Sequence, residues 1–227
     1  MKQLALELAS PPAPTLDNFV VGDNAEVIAA VRALARGDGG ERFVYLWGGS
    51  GSGRTHLLQA VLREWRGAGR IAHFCTRDVL PAAVAVAATD AIAVDDVQHM
   101  PPPAQIELFN IYNNLRDSSG LLLVVGDVPP ARLALRADLL TRLAWGLVYE
   151  VSALSEGDRR AVVQDYAVAR GFELPDEVTA YLLARAPRDL SSLRALVDTL
   201  DRLSLEQKRA ITVPLARELL QAVPGKH

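Results

Sequence analysis

Between residues 43 and 151 the chain alternates short, largely apolar runs with longer stretches in which apolar residues recur every three or four positions. The runs cover 43–47, 71–75, 91–94, 121–125 and 147–151. A run of four or five residues, apolar but for His73 in the second and Glu150 in the last, has no alternating polar face to give to water, so each predicts a strand of a parallel sheet covered on both sides. The recurrent stretches predict helices over 24–36, 54–66, 79–88 and 104–117, with Gly37-Asp38-Gly39-Gly40 stopping the first. Strands alternating with helices predict an α/β fold with helices on both faces of the sheet. A turn-rich stretch precedes the last run. Beyond residue 153 the strand pattern ceases, and helical patterns alone follow at about 155–169, 175–185, 188–203 and 213–222. Residues 15–153 therefore read as one α/β domain and 154–227 as a small all-helical one. Residues 9–14, which hold Pro11, Pro12 and Pro14, cannot continue a helix or a central strand and read as a linker that sets residues 1–8 apart. Internal repeats are not apparent.

Composition agrees with this organisation and narrows the chemistry. Ala and Leu number 34 each among 227 residues while aromatics reach 6%, a helix-rich globular balance that excludes disordered and collagenous classes. The net charge is −3 over residues 1–153 (13 basic, 16 acidic) and 0 over 154–227 (11 of each), so neither half has the basic surplus of a domain that holds DNA by its phosphates. The cations are uneven in kind, 21 Arg against 3 Lys. The single cysteine, Cys75, excludes an internal disulfide and a cysteine metal cluster, and its apolar run predicts a buried thiol in a reducing compartment. No apolar run approaches the roughly 18 residues of a membrane span. Glu7 interrupts the N-terminal leucines too early for a signal-peptide core, and a cytoplasmic protein is expected.

The strongest local signal is Gly48-Gly49-Ser50-Gly51-Ser52-Gly53-Arg54-Thr55, between the first buried run and the helix it opens. Glycines let backbone N–H groups wrap phosphates, and the helix N-terminus adds partial positive charge, so the stretch reads as a phosphate loop. Thr55 stands where a magnesium-ligating hydroxyl belongs. The motif calls for Lys at position 54 and the chain has Arg. Arg is a wide planar fork where Lys is a compact point charge, so nucleotide binding with altered phosphate preference, toward the diphosphate, and poor hydrolysis are expected. The second element is the run 91–94 ending in Asp95-Asp96, a Walker B arrangement in which Asp95 holds Mg²⁺ and Asp96 orients a water. The alternative for the paired acids is a solvated turn or a cap. His56, in the first helical turn, reads as a structural residue rather than a catalytic base, and the remaining histidines show no metal spacing.

With these motifs in register the chain resembles the AAA+ ATPases, in the branch of the bacterial replication initiator DnaA and its shorter relative Hda, the DnaA regulatory inactivator. The likeness spans nearly the whole chain. Thr15-Leu16-Asp17-Asn18-Phe19-Val20 is similar to the segment near the adenine pocket, and 123–127 with Pro129-Pro130 to the sensor 1 region, which implies Asp127 near the γ-phosphate position. The stretch 138–146 resembles the one carrying an arginine finger, which implies Arg142 for that role, and its Trp145-Gly146 is specific to the initiator branch. Residues 186–190 resemble the sensor 2 helix start, which implies that Arg188 reaches the phosphates from the lid. The fold implied is an AAA+ P-loop NTPase core with a parallel five-stranded sheet, followed by a helical lid. Bound ADP or ATP with Mg²⁺ is implied as well.

The initiator continues beyond its lid into a basic DNA-reading domain, whereas this chain reaches His227 just after its last lid-like helix, so no direct sequence-specific DNA binding is expected. Gln3-Leu4-Ala5-Leu6-Glu7-Leu8 resembles a sliding-clamp-binding motif; extended, it sets Leu4, Leu6 and Leu8 on one side, with Gln3 free to hydrogen-bond. An edge strand folded onto the sheet is the alternative for it. The function implied is an ADP-binding regulator that, with the DNA-loaded sliding clamp (the DNA polymerase III beta subunit), stimulates ATP hydrolysis by DnaA and prevents re-initiation. An autonomous ATPase of the initiator or helicase-loader type, and a purely structural adaptor, are the alternatives. A homo-oligomer is possible.

Overall fold

The computed structural model describes residues 13–38, 40–76, 89–187 and 189–222. The predicted helix 79–88, the tail residues Gln3, Leu4, Leu6 and Leu8, most of the proline-rich linker and Arg188 lie outside the described residues. Two compact units divide between Ala153 and Leu154.

The first unit is built on five parallel strands: β1 (Phe43–Trp47), β2 (Ala72–Cys75), β3 (Ala91–Val94), β4 (Leu121–Gly126) and β5 (Leu147–Glu150), in the order β2-β3-β4-β1-β5. Its helices are α1 (Ala25–Arg36), α2 (Arg54–Gly67), α3 (Pro102–Asp117) and α4 (Ala137–Leu143). Alternation of side chains along a strand explains the apolar runs. Val44 and Leu46 of β1 and Leu121, Leu123 and Val125 of β4 pack into one core with α1 and α2. The intervening Phe43, Tyr45, Leu122 and Val124 pack into a second core with α3 and α4. Both faces are dry, so each central-strand Leu contributes about 1.5–3 kcal/mol by leaving water.

Three local features depart from the sequence reading. α3 begins at Pro102, ahead of the predicted 104, because a proline in the first turn gives up only an N–H that has no intrahelical partner. α4 lies inside the stretch read as turn-rich; seven residues are too few for a helical period to show. β5 follows the run predicted as a strand, yet Leu147 and Val148 are exposed, since among the described residues β5 lies at a sheet edge with β1 as its one neighbour.

The second unit contains α5 (Glu156–Ala169), α6 (Asp176–Arg185), α7 (Leu190–Gln207) and α8 (Val213–Ala222) around their own leucine- and valine-rich core. Ser155 caps α5 by accepting the Asp158 N–H, and Asp189 caps α7 by accepting the Ser192 N–H. Burial works against the Asp189 carboxylate, but hydrogen bonds from Ser191 and Ser192 outweigh it and hold its pKa below the usual value. Thr179 and Thr199, both fully buried, satisfy their hydroxyls on the carbonyls of Pro175 and Ala195, one turn earlier. Among the described residues no helix is long and apolar enough to cross a membrane.

Candidate nucleotide-binding site

Because β4 lies between β1 and β3, the loop after β1, the acids after β3 and the end of β4 meet at the carboxyl edge of the sheet. Open parallel sheets bind ligands at this edge. The loop 48–53 leaves β1 and turns into α2 through Gly53, whose φ of 94° is left-handed. Glycine is required there twice over, since a Cβ would also come within 2.7 Å of Phe19 Cε2. At Gly48 the demand is for close approach: a Cβ would stand 2.4 Å from the Val151 carbonyl oxygen. The Leu57 N–H bonds the Gly53 carbonyl, which leaves the first-turn N–H groups of α2 without helical acceptors. Ser52 is 6% exposed, and its Oγ has no hydrogen-bond partner. A buried donor in a glycine loop at a helix N-terminus fits an anion with acceptor oxygens.

Asp95 is 6% exposed at the end of β3, and its carboxylate is hydrogen-bonded with Thr55. Burial raises its pKa; the Thr55 hydrogen bond and the Arg54 charge oppose the rise, while the Asp96 charge adds to it. A desolvated carboxylate beside a hydroxyl is a donor pair suited to a hard cation. Asp96 takes a left-handed φ of 50°, gives its N–H to Asp95 Oδ1 at 2.9 Å and accepts Gln98 Nε2 at 3.1 Å. Arg54 donates through Nη1 to the Gly126 carbonyl at the end of β4. Tyr45, on the neighbouring strand, donates its hydroxyl to the Val128 carbonyl at 2.7 Å. Burial, then the Asp127 charge, push the Tyr45 phenol well above its ordinary pKa, so it remains a donor. Two side chains thus grip the backbone on either side of Asp127, which is itself exposed.

On the far side of the loop, Thr15 and Asn18 exchange side-chain-to-backbone hydrogen bonds at 2.9 and 3.1 Å. His56 Nε2 donates to the Thr15 carbonyl at 2.9 Å, and its ring lies 5.6 Å from that of Phe19. His56 therefore anchors the 15–19 segment to α2, in keeping with a structural role.

Arg142 sits in the last turn of α4. Its guanidinium carbon is 4.1 Å from the Trp145 ring centroid, 5.6 Å from Phe109 and 5.7 Å from Tyr112. The structure thus brings Arg54, Thr55, Asp95 and the Asp127 segment together. Sequence reading passed over Tyr45, the one polar group in its run, and Phe109 and Tyr112, whose i, i+3 spacing marks one helix face.

The model of the bacterial DnaA ATPase domain matches residues 12–72 and 80–150, and that of the Hda lid domain matches 156–220. The chain belongs to the DnaA- and Hda-related AAA+ proteins. Among solved structures, domain III of the Thermotoga maritima replication initiation protein DnaA is 24% identical, with a TM-score of 0.76, covering 94% of this chain and 98% of that one. AMPPCP-bound DnaA from Aquifex aeolicus is 24% identical with a TM-score of 0.69, covering 86% of this chain and 66% of that one. A mutant of Thermotoga maritima RuvB, at 16% identity and a TM-score of 0.67, covers 94% of this chain and 73% of that one. These likenesses show an AAA+ fold of the DnaA type, with the parallel sheet and the helical C-terminal region it entails.

Proposed function

We propose that this DnaA-related AAA+ protein binds ADP with Mg²⁺ and, held on a DNA-loaded sliding clamp, stimulates hydrolysis of ATP bound to the initiator DnaA. The backbone of Gly48–Gly53 and the Ser52 hydroxyl would cradle the phosphates, and Thr55 and Asp95 would hold the metal, which on binding supplies charge neutralisation. Asp127 and Arg188 complete the set assigned to the nucleotide, and Asp96 is assigned to orient a water. Because Arg54 donates to the Gly126 carbonyl, it is partly spent inside the protein, which supports a diphosphate preference and little turnover. The Aquifex aeolicus neighbour, bound to AMPPCP, supports an adenine nucleotide as the ligand class.

The observation that carries the reading is Arg142. It rests against aromatic rings, and among the described ion pairs none engages it. A guanidinium with unspent donors can meet the charge that develops on a phosphoryl group held by another molecule. Such an arginine in trans is worth roughly 10³ to 10⁵ in rate. Clamp binding is assigned to Gln3, Leu4, Leu6 and Leu8, whose extended spacing suits a hydrophobic groove. The test is Arg142→Ala: ADP and clamp binding should persist while stimulation of DnaA hydrolysis disappears, and undiminished stimulation would refute the role. The intact Thr55–Asp95 pair favours a second reading, an autonomous ATPase. Vigorous turnover of Mg-ATP by the purified chain alone would select it.

A further inference from the structure

An arginine that serves a phosphate on another molecule faces two opposed demands. It must be held in place before the partner arrives, because freezing a long side chain costs entropy, and its N–H donors must remain unspent. A carboxylate partner meets only the first demand. The N-cap of α4 shows that case: Arg136 binds both oxygens of Asp138 through Nε and Nη2, at 3.1 and 2.7 Å. That pairing also occupies the nearest acid on the helix. An aromatic face meets both demands, since it attracts the cation without accepting in-plane N–H groups.

Arg142 has such a face on several sides. Phe109 and Tyr112 present rings from one side of α3, and Trp145 follows the end of α4 with its backbone N–H on the Arg142 carbonyl at 3.2 Å. That bond keeps the Trp145 backbone beside Arg142, and its indole makes the shortest of the three ring contacts, 4.1 Å. Trp145 is otherwise poorly placed for packing, being 59% exposed. We infer that Trp145 is a positioning residue: its indole, with Phe109 and Tyr112 behind, holds the Arg142 guanidinium in the attitude that a partner's triphosphate meets. The inference rests on the reading that Arg142 acts in trans, and it assigns to Trp145 no contact with substrate.

The test is single-turnover hydrolysis of ATP preloaded on the initiator, titrated with the full chain in the presence of clamp. Trp145→Ala should lower the maximal rate by about tenfold to a hundredfold, as loss of orientation does, and leave the half-saturating concentration nearly unchanged. Trp145→Phe, which keeps a π face, should restore most of the rate; Trp145→Leu, which keeps bulk without one, should not. In an Arg142→Ala background Trp145→Ala should change nothing further. Wild-type rates with Trp145→Ala, equal rates for the Phe and Leu variants, or weakened binding in the Arg142→Ala background would each overturn the role, the last by making Trp145 a contact with the partner. If Trp145→Ala loses ADP binding through misfolding, the Phe and Leu pair decides. Normal stimulation by Arg142→Ala removes the trans reading itself, whereas an inert Arg142→Ala with a normal Trp145→Ala removes only the positioning role.

Discussion

Arg54 and Arg142 are the same side chain in opposite surroundings. Arg54, which follows the glycine-rich loop, donates to the Gly126 carbonyl of its own domain. Arg142, at the end of α4, lies against Trp145, Phe109 and Tyr112 and forms none of the ion pairs among the described residues. One arginine is drawn inward beside the glycine-rich loop, and the other, among the described residues, keeps its donors, which the proposed function assigns to a partner's phosphate. In a chain with 21 Arg and 3 Lys, composition cannot separate the two. The acceptors around each one can.

The contrast can be broken at several points. The largest effect is expected from Arg142→Ala, which should cost about 10³-fold or more in stimulated hydrolysis of initiator-bound ATP, read by single-turnover kinetics with nucleotide binding unchanged. Next is Gly53→Ala. A side chain at φ 94° is strained and meets Phe19, so nucleotide affinity measured by calorimetry should fall about tenfold or more.

Asp95→Asn should act in two directions. The folded pKa of Asp95 lies above its unfolded value, so protons favour the folded state and stability falls as pH rises through the folded pKa. At neutral pH the buried carboxylate is therefore a cost. The Asn variant should melt higher than wild type without nucleotide, by thermal denaturation, and lose Mg²⁺-dependent nucleotide affinity by about tenfold. An unchanged melting temperature would remove the desolvation argument. The smallest effect is expected from Arg54→Lys, which should shift the ratio of ATP to ADP affinity upward by about two- to fivefold, on the scale of one hydrogen bond.

Much of the fold was legible in the sequence because its strands are buried on both faces. Phe43–Trp47 and Ala91–Val94 form strands over the predicted residues, since no charged position interrupts either. The turn of the glycine-rich loop from β1 into α2 was legible for a related reason, as Gly48 and Gly53 serve backbone geometry that few other residues allow. α4 was not legible: two helical turns carry too little period, and its partners on α3 are close only in space. The aromatic surroundings of Arg142 were hidden likewise, because residues 109 and 145 are brought together by the packing of α3 against α4 rather than by spacing. The Arg54 contact with Gly126 depends on β4 lying beside β1, a strand order that periodicity does not specify.

The division of labour between the two arginines is tested most directly by placing Lys at each position and measuring hydrolysis of initiator-bound ATP in the presence of clamp. Arg142→Lys should lose nearly all stimulation, because a compact ammonium cannot reproduce the stacked, forked guanidinium, while Arg54→Lys should stimulate as the wild type does. Full activity with Arg142→Lys, or a comparable loss with Arg54→Lys, would contradict it.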